Sequence, residues 1–149
     1  MSDIFVKIQD NKNIKQSIKD TFNVDLDVSG GWGYDKSSAL IVHSLNVKDE
    51  QFYQLFASIR ATIELNILKE KEDKYAGINP SIKSILKEEN HTKVIFHITA
   101  IKQNTYNELI KEYKQGYGKK DFDIQAHFEK RKKATLKLEM TCWFLMEGK

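Results

Sequence analysis

A hydrophobic period of two runs through residues 134–146 and predicts a long strand. Apolar side chains occupy every second position there: Ala134, Leu136, Leu138, Met140, Cys142, Phe144 and Met146. Successive side chains of a strand point to opposite faces of a sheet, so these seven share one face. The positions between them are polar up to Thr141 and become apolar at Trp143 and Leu145. We therefore expect one face of this strand to be buried throughout and the other only near its end.

Helical spacing predicts two amphipathic helices in the first half of the chain. A first apolar stripe recurs at intervals of four residues: Ile14, Ile18 and Phe22. It predicts a helix over residues 11–22, with Asp10 or Asn11 as its N-cap. A longer stripe predicts the longest helix, over residues 47–70, with Asn46 as N-cap: Phe52, Leu55, Phe56, Ile59, Ile63 and Ile67. Such a stripe is typical of a helix packed against a sheet.

Three more segments have the apolar content of strands. Residues 24–29 alternate apolar side chains with acidic or polar ones, which is typical of a half-buried strand. Residues 39–45 form an apolar run, and the glycine-rich residues 30–35 before it favour an antiparallel pairing of these two segments. Residues 92–102 are apolar on both faces, which favours a central strand.

Two short helices are predicted in the second half of the chain. Asn79 and Pro80 have the residue types of an N-cap and a first helical position, so they predict a helix over residues 80–90. Thr105 and Glu108 have the spacing of a capping box, and they predict a further helix that ends at the glycines near residue 116.

The last predicted unit is a hairpin. Residues 122–128 alternate in polarity and predict a strand that pairs with residues 134–146 through a turn at residues 130–133. The apolar residues 4–8 predict either a short edge strand or a packed N-terminal arm. Together these elements predict an α+β fold. We expect a two-layer sandwich, in which an antiparallel or mixed sheet of about five strands carries the long helix and the shorter helices on one face.

Composition indicates an ordinary globular protein. The 149 residues suit a single domain, with 40% hydrophobic and 30% charged side chains. The single cysteine, Cys142, excludes an internal disulfide, and its place on the apolar face indicates a buried thiol. No segment resembles a signal peptide or a membrane span, so we expect a cytoplasmic protein that is not bound to a membrane. No cofactor motif or metal-ligand spacing is present, and we expect neither a cofactor nor a metal.

The glycine-rich residues 30–35 are the most distinctive segment. They lack the spacing of a phosphate-binding loop and lead into a strand, whereas such loops open a helix. Trp32, Tyr34 and Asp35 are therefore candidate partner-binding residues, because aromatic side chains on loops often dominate protein interfaces. The alternative is a tight turn whose aromatic side chains fold back over the core.

A polar sheet face is the second candidate site. If the predicted strands pair, two histidines, a carboxylate and an aromatic wall share one surface: His97, His127, Glu139 and Trp143. Such a group suits acid–base chemistry or ligand binding. The alternative is that these side chains are structural or solvated, as scattered histidines usually are.

A basic run at the predicted hairpin turn is the third candidate site. It consists of Lys130, Arg131, Lys132 and Lys133, and its cations suit contacts to phosphate groups. Only two arginines occur in the chain, and no RNA-binding motif accompanies the run, so a solvated turn is the alternative.

These observations favour a non-enzymatic protein that binds another protein, such as an immunity-type or inhibitor protein that neutralises a partner by covering it. The alternatives are an enzyme or small-ligand binder that uses the histidine-containing face, and a nucleic-acid-binding protein that uses the basic run. The sequence leaves the partner and the oligomeric state open.

Overall fold

Five strands form one mixed sheet in the computed structural model, which describes residues 4–9 and 13–147. The strands are Val28–Gly30 (β1), Leu40–Val42 (β2), Tyr75–Glu88 (β3), His91–Lys102 (β4) and Leu136–Met146 (β5). Their spatial order is β1-β2-β5-β4-β3. Only β2 and β5 pair in parallel, and the other neighbours are antiparallel. The predicted α+β sandwich is confirmed.

Four α-helices accompany the sheet in the described part of the chain. They are Ile14–Phe22 (α1), Asp49–Thr62 (α2), Gln103–Gly116 (α3) and Ile124–Ala134 (α4). The second helix continues as a π-helix over Ile63–Ile67, in which the Leu68 N–H donates to the carbonyl of Ile63 at 2.9 Å. The wider turn rotates the apolar face. Leu65 is therefore buried, and Ile67, which the regular helical period assigns to the buried stripe, is exposed.

The main core lies between the sheet and helices α1 and α2. Phe52 and Phe56 of α2 contact the ring of Phe144 with centroid distances of 6.1 and 5.6 Å. The alternating side chains of β4 and β5 complete this core: Val94, Phe96, Ile98, Ala100, Met140, Cys142 and Phe144. The predicted buried face of the last strand is thus confirmed over most of its length, although Leu136 is exposed and Ala134 belongs to α4.

The predicted helix over residues 80–90 is wrong, because residues 80–88 belong to the edge strand β3 and residues 89–90 form the turn that follows it. Irregularities in the pairing with β4 lie between Ala76 and Asn79 and between Ile82 and Ser84. The second irregularity shifts the phase of the alternation, so Ile82 and Ile85 acquire the three-residue spacing of a helix. Pro80 is tolerated because an edge strand has a neighbour on one side only.

The predicted strand over residues 122–128 is also wrong, because most of it lies in α4. The Asp123 side chain caps this helix by accepting a hydrogen bond from the Ala126 N–H at 3.1 Å. The helix buries only His127, so it lacks the apolar stripe that identifies a helix in a sequence. The basic residues 130–133 therefore lie in the last turns of α4 and not in a hairpin turn.

Several predicted helix starts shift by a few residues. Asn13 is the N-cap of α1, while Asp10 and Asn11 lie outside the described residues. Helix α2 begins behind Lys48 and not Asn46.

Helix α3 follows β4 directly, with Lys102 at its N-cap, so the predicted capping box lies inside the helix. Residues 4–8 form a packed arm, in which the Val6 N–H donates to the carbonyl of Glu64 at 3.2 Å.

The first two strands are shorter than predicted, since β1 and β2 each contain three residues. Their antiparallel pairing across residues 30–35 is confirmed. The predicted interior place of residues 92–102 is also confirmed, because β4 lies between β5 and β3.

Candidate functional site

The loop over residues 30–35 directs its tryptophan into the core. Trp32 is only 7% exposed, and its ring stacks on Phe56 with a centroid distance of 6.0 Å. The expectation that the Trp32 side chain is exposed is therefore wrong, and Trp32 packs over the core as the alternative interpretation describes.

A buried ion pair lies directly behind this loop. Arg60 and Glu64 are one helical turn apart on α2 and its π-helical extension, and their side chains are 6% and 2% exposed. The Arg60 Nε donates to Glu64 Oε2 at 2.6 Å, and the Tyr34 hydroxyl donates to the same oxygen at 2.9 Å. The guanidinium carbon of Arg60 lies 4.0 Å from the centroid of the Tyr34 ring. Burial raises the pKa of the Tyr34 hydroxyl, which therefore stays protonated and remains a hydrogen-bond donor.

The same network ties three separate segments together. The Ile8 N–H donates to the Tyr34 hydroxyl at 2.8 Å, which holds the N-terminal arm. The Arg60 Nη1 donates to the carbonyl of Thr141 at 3.0 Å, which holds β5. Each buried charge is thus paired and hydrogen-bonded, as burial requires. The arrangement explains how the loop is held in place, and it assigns Tyr34 a structural role.

Gly33 allows the loop to approach β5 closely. Its carbonyl accepts a hydrogen bond from the Trp143 N–H at 2.8 Å, and its φ is +84°. A Cβ atom at this position would lie 2.9 Å from the carbonyl oxygen of Trp143, so only glycine fits.

Asp35 is exposed, but its carboxylate is hydrogen-bonded to the residues that follow it in the chain. Asp35 Oδ1 accepts hydrogen bonds from the Ser38 N–H at 2.9 Å and from the Ser37 hydroxyl at 2.8 Å. The bond from the Ser38 N–H caps the short 3-10 helix over Lys36–Ser38, and the bonds from Ser37 and Ser38 hold the pKa of the Asp35 carboxyl below its usual range.

The polar face of the sheet brings together only some of the predicted residues. His97 and Glu139 are directly paired across β4 and β5, and Glu139 also accepts a hydrogen bond from Lys83 at 2.9 Å. Trp143 lies farther along the same face of β5, where the ammonium groups of Lys36 and Lys93 lie 5.6 and 5.5 Å from its ring centroid.

His127 does not join this face. It is buried on α4, where its Nδ1 lies 3.2 Å from Glu112 Oε1 of α3. The predicted pair of histidines is therefore not assembled. In the part of the chain that the structure describes, no three His, Cys, Asp or Glu side chains are placed to hold a metal ion together.

Helices α3 and α4 pack against each other, and we call residues 103–135 the helical lobe. Pairwise contacts link five of its rings, with centroid distances between 5.4 and 6.1 Å: Tyr113, Tyr117, Phe122, His127 and Phe128. Phe122 packs directly on the backbone of Gly116, where an added Cβ would lie 2.1 Å from the ring.

The helical lobe exposes the largest aromatic surface among the described residues. Tyr117 is 70% exposed, Phe128 is 53% exposed and Ile124 is 40% exposed. Ile124 and Phe128 are four residues apart on α4, so they lie on one face of the helix. The lobe contains eight lysines and arginines and five aspartates and glutamates, which give it a local net charge of +3.

The basic residues of α4 are partly engaged within the lobe. Lys130 donates to Glu112 at 2.8 Å, and the guanidinium of Arg131 lies 5.8 Å from the ring centroid of Tyr106. Lys132 and Lys133 are exposed in the last turn of the helix, where cations favour the helix dipole.

Sequence reasoning did not identify two of these features. The Arg60–Glu64 pair has the opposite charges and four-residue spacing of an intrahelical ion pair, and its position inside an apolar segment was the available signal. The ring cluster was missed because Phe122 and Phe128 were assigned to a strand.

The chain matches no protein-family model, no curated protein and no solved structure. Within residues 4–9 and 13–147, no helix has the length and apolar content needed to cross a membrane.

Proposed function

We propose that the protein is a non-enzymatic protein-binding module that engages its partner through the helical lobe. The observation that carries this proposal is the exposure of Tyr117, Phe128 and Ile124 on the helical lobe, which has a net positive charge. Exposed aromatic side chains beside cations have the composition of interface hot spots, in which Tyr, Trp and Arg are enriched. A partner of matching chemistry has an apolar pocket with an acidic rim. The neutralisation of such a partner by covering it, as immunity-type and inhibitor proteins do, is the mode of action we propose.

The remainder of the molecule supports this choice of surface. The aromatic loop at residues 30–35 is used internally, since Trp32 is buried and the Tyr34 hydroxyl is bonded to Glu64. Two of the four basic residues in α4 also have partners within the lobe, which weakens an interpretation based on phosphate contacts alone.

The test is a capture experiment with matched variants. We expect the tagged protein to retain a host protein after nuclease treatment, and we expect Phe128→Ser and Tyr117→Ser to lose it. Leu86→Ser is the control, because Leu86 is similarly exposed but lies on β3, outside the lobe. The captured protein is then purified, and its affinity for each variant is measured by calorimetry.

The proposal is rejected if capture is the same for the lobe variants and for Leu86→Ser. It is also rejected if only nucleic acid is retained and its affinity falls steeply with salt, because that result indicates phosphate recognition by the basic residues.

A further inference from the structure

A second surface of the same chain has the chemistry that the helical lobe requires of a partner. It is a cavity of about 260 Å³ that we call the acidic pocket. Apolar side chains form most of its wall: Leu26, Leu45, Val47, Phe52 and Leu55. Asp25 and Asp27 line it as well, and both are exposed. Val47 and Leu55 are also exposed, so apolar surface is accessible from solvent.

The charges of the two surfaces are opposite. The two carboxylates that line the acidic pocket, Asp25 and Asp27, give it a formal charge of −2. Lys19 pairs with Asp25 at 2.9 Å and reduces this value to −1. The helical lobe carries +3. Complementary charge of this kind raises the association rate and fixes the orientation of two surfaces.

The pocket is large enough for an aromatic side chain. An apolar cavity of about 150 Å³ holds a benzene ring. The acidic pocket therefore has room for one ring such as that of Phe128, the aromatic side chain of the lobe that shares a helix face with Ile124.

The two surfaces lie at opposite ends of the sheet. The lobe leads directly into the first residue of β5, Leu136. The acidic pocket is formed by residues just before Val28 and just after Val42, which are paired with each other. Val42 is also paired with the last residue of β5, Met146. Eleven residues of strand extend over about 35 Å, so a lobe cannot reach the pocket of its own molecule.

We propose that the helical lobe of one molecule docks in the acidic pocket of a second copy of this chain. This inference rests on the proposed function of the lobe as a binding surface. Because the two surfaces differ, the contact is head-to-tail and leaves one lobe and one pocket free in every pair. Such contacts extend into open chains or close into rings.

The test uses variants that each remove one half of the contact. Phe128→Ser removes the lobe anchor, and Val47→Lys places a cation in the acidic pocket. We expect the wild-type protein to increase in mass with concentration in sedimentation velocity, and each variant alone to stay monomeric. A mixture of the two variants is expected to form a dimer and nothing larger, because it retains one intact lobe and one intact pocket. The wild-type association is expected to weaken about tenfold between about 50 mM and about 500 mM salt, because salt screens the charges of exposed surfaces.

Two controls make the result decisive. Leu86→Ser is expected to associate like the wild type, and Asp27→Lys repeats the pocket test at a second exposed position in case Val47→Lys does not fold. A wild-type protein that remains monomeric at millimolar concentration overturns the inference, as does association that survives in both single variants. If the wild type is monomeric but still captures a host protein through Phe128, only the head-to-tail contact is rejected and the proposed function stands.

Discussion

Replacement of Arg60 by methionine tests whether the buried ion pair holds the loop, the arm and β5 together. Methionine retains the unbranched stem of arginine and removes its charge and donors. Glu64 then remains 2% exposed without its cation, and the carbonyl of Thr141 loses the hydrogen bond from Arg60. Removal of one member of a buried pair costs about 3–5 kcal/mol.

This loss is large on the scale of the whole fold. A domain of this size has a free energy of unfolding of about 5–15 kcal/mol, and 1 kcal/mol corresponds to about 2–4 °C in Tm. We therefore expect Arg60→Met to lower the Tm by about 6–20 °C, as measured by circular dichroism, and to shift the urea midpoint accordingly.

The chain offers a matched control for this substitution. The only other arginine, Arg131, is exposed on α4, and Arg131→Met is expected to change stability by less than about 0.5 kcal/mol. The double variant Arg60→Met/Glu64→Leu removes both charges, and it is expected to be more stable than the sum of the two single effects by about 1–3 kcal/mol. An Arg60→Met protein as stable as Arg131→Met, or strictly additive effects, would refute the reasoning.

Three further predictions concern single side chains. Trp32→Ala is expected to lower the free energy of unfolding by about 3–5 kcal/mol in urea titrations, because it empties a core position; an unchanged midpoint would place Trp32 in solvent. Burial raises the pKa of the Cys142 thiol to about 11, so Ellman's reagent is expected to react only after unfolding, and rapid labelling of the native protein would contradict this. Hydrogen bonds from Lys130 and His127 hold the pKa of the Glu112 carboxyl below its usual 4.5. A carboxyl group whose pKa is lower in the folded than in the unfolded state stabilises the fold at pH values above the unfolded-state pKa, so this contribution is complete above about pH 5. It is lost as the pH falls through the lowered pKa. In thermal melts, Glu112→Gln is therefore expected to reduce the decrease of Tm with falling pH.

The sequence allowed prediction of those elements whose hydrophobic period is regular. The α1 stripe and the alternation of β5 have uninterrupted periods, and both elements lie where the pattern indicates. Strand β3 was missed because one pairing irregularity near Ser84 changes its period from two to three. Helix α4 was missed because it buries His127 alone and leaves Phe128 in solvent, so its polarity does not follow a helical stripe.

The candidate sites were harder to predict because they depend on contacts between distant segments. Whether Trp32 is exposed is decided by Phe56, 24 residues later in the chain, and no local pattern reports that contact. His97 and His127 lie apart because His127 belongs to helix α4 and not to a strand of the sheet. The basic run at residues 130–133 was visible in the sequence, but its setting among exposed aromatic side chains appears only in the folded lobe.

The position of β5 in the sheet has a consequence for synthesis of the protein on the ribosome. This strand is the third of five in space, yet it is the last described strand to leave the ribosome. The hairpins β1–β2 and β3–β4 emerge earlier, and in the described chain only β5 hydrogen-bonds to both. Until it emerges, the sheet exists as two separate halves with exposed edges. The two halves of the sheet can join only after β5 has emerged. Contacts between chaperones and the nascent chain are therefore expected to persist until residue 146 has left the ribosome.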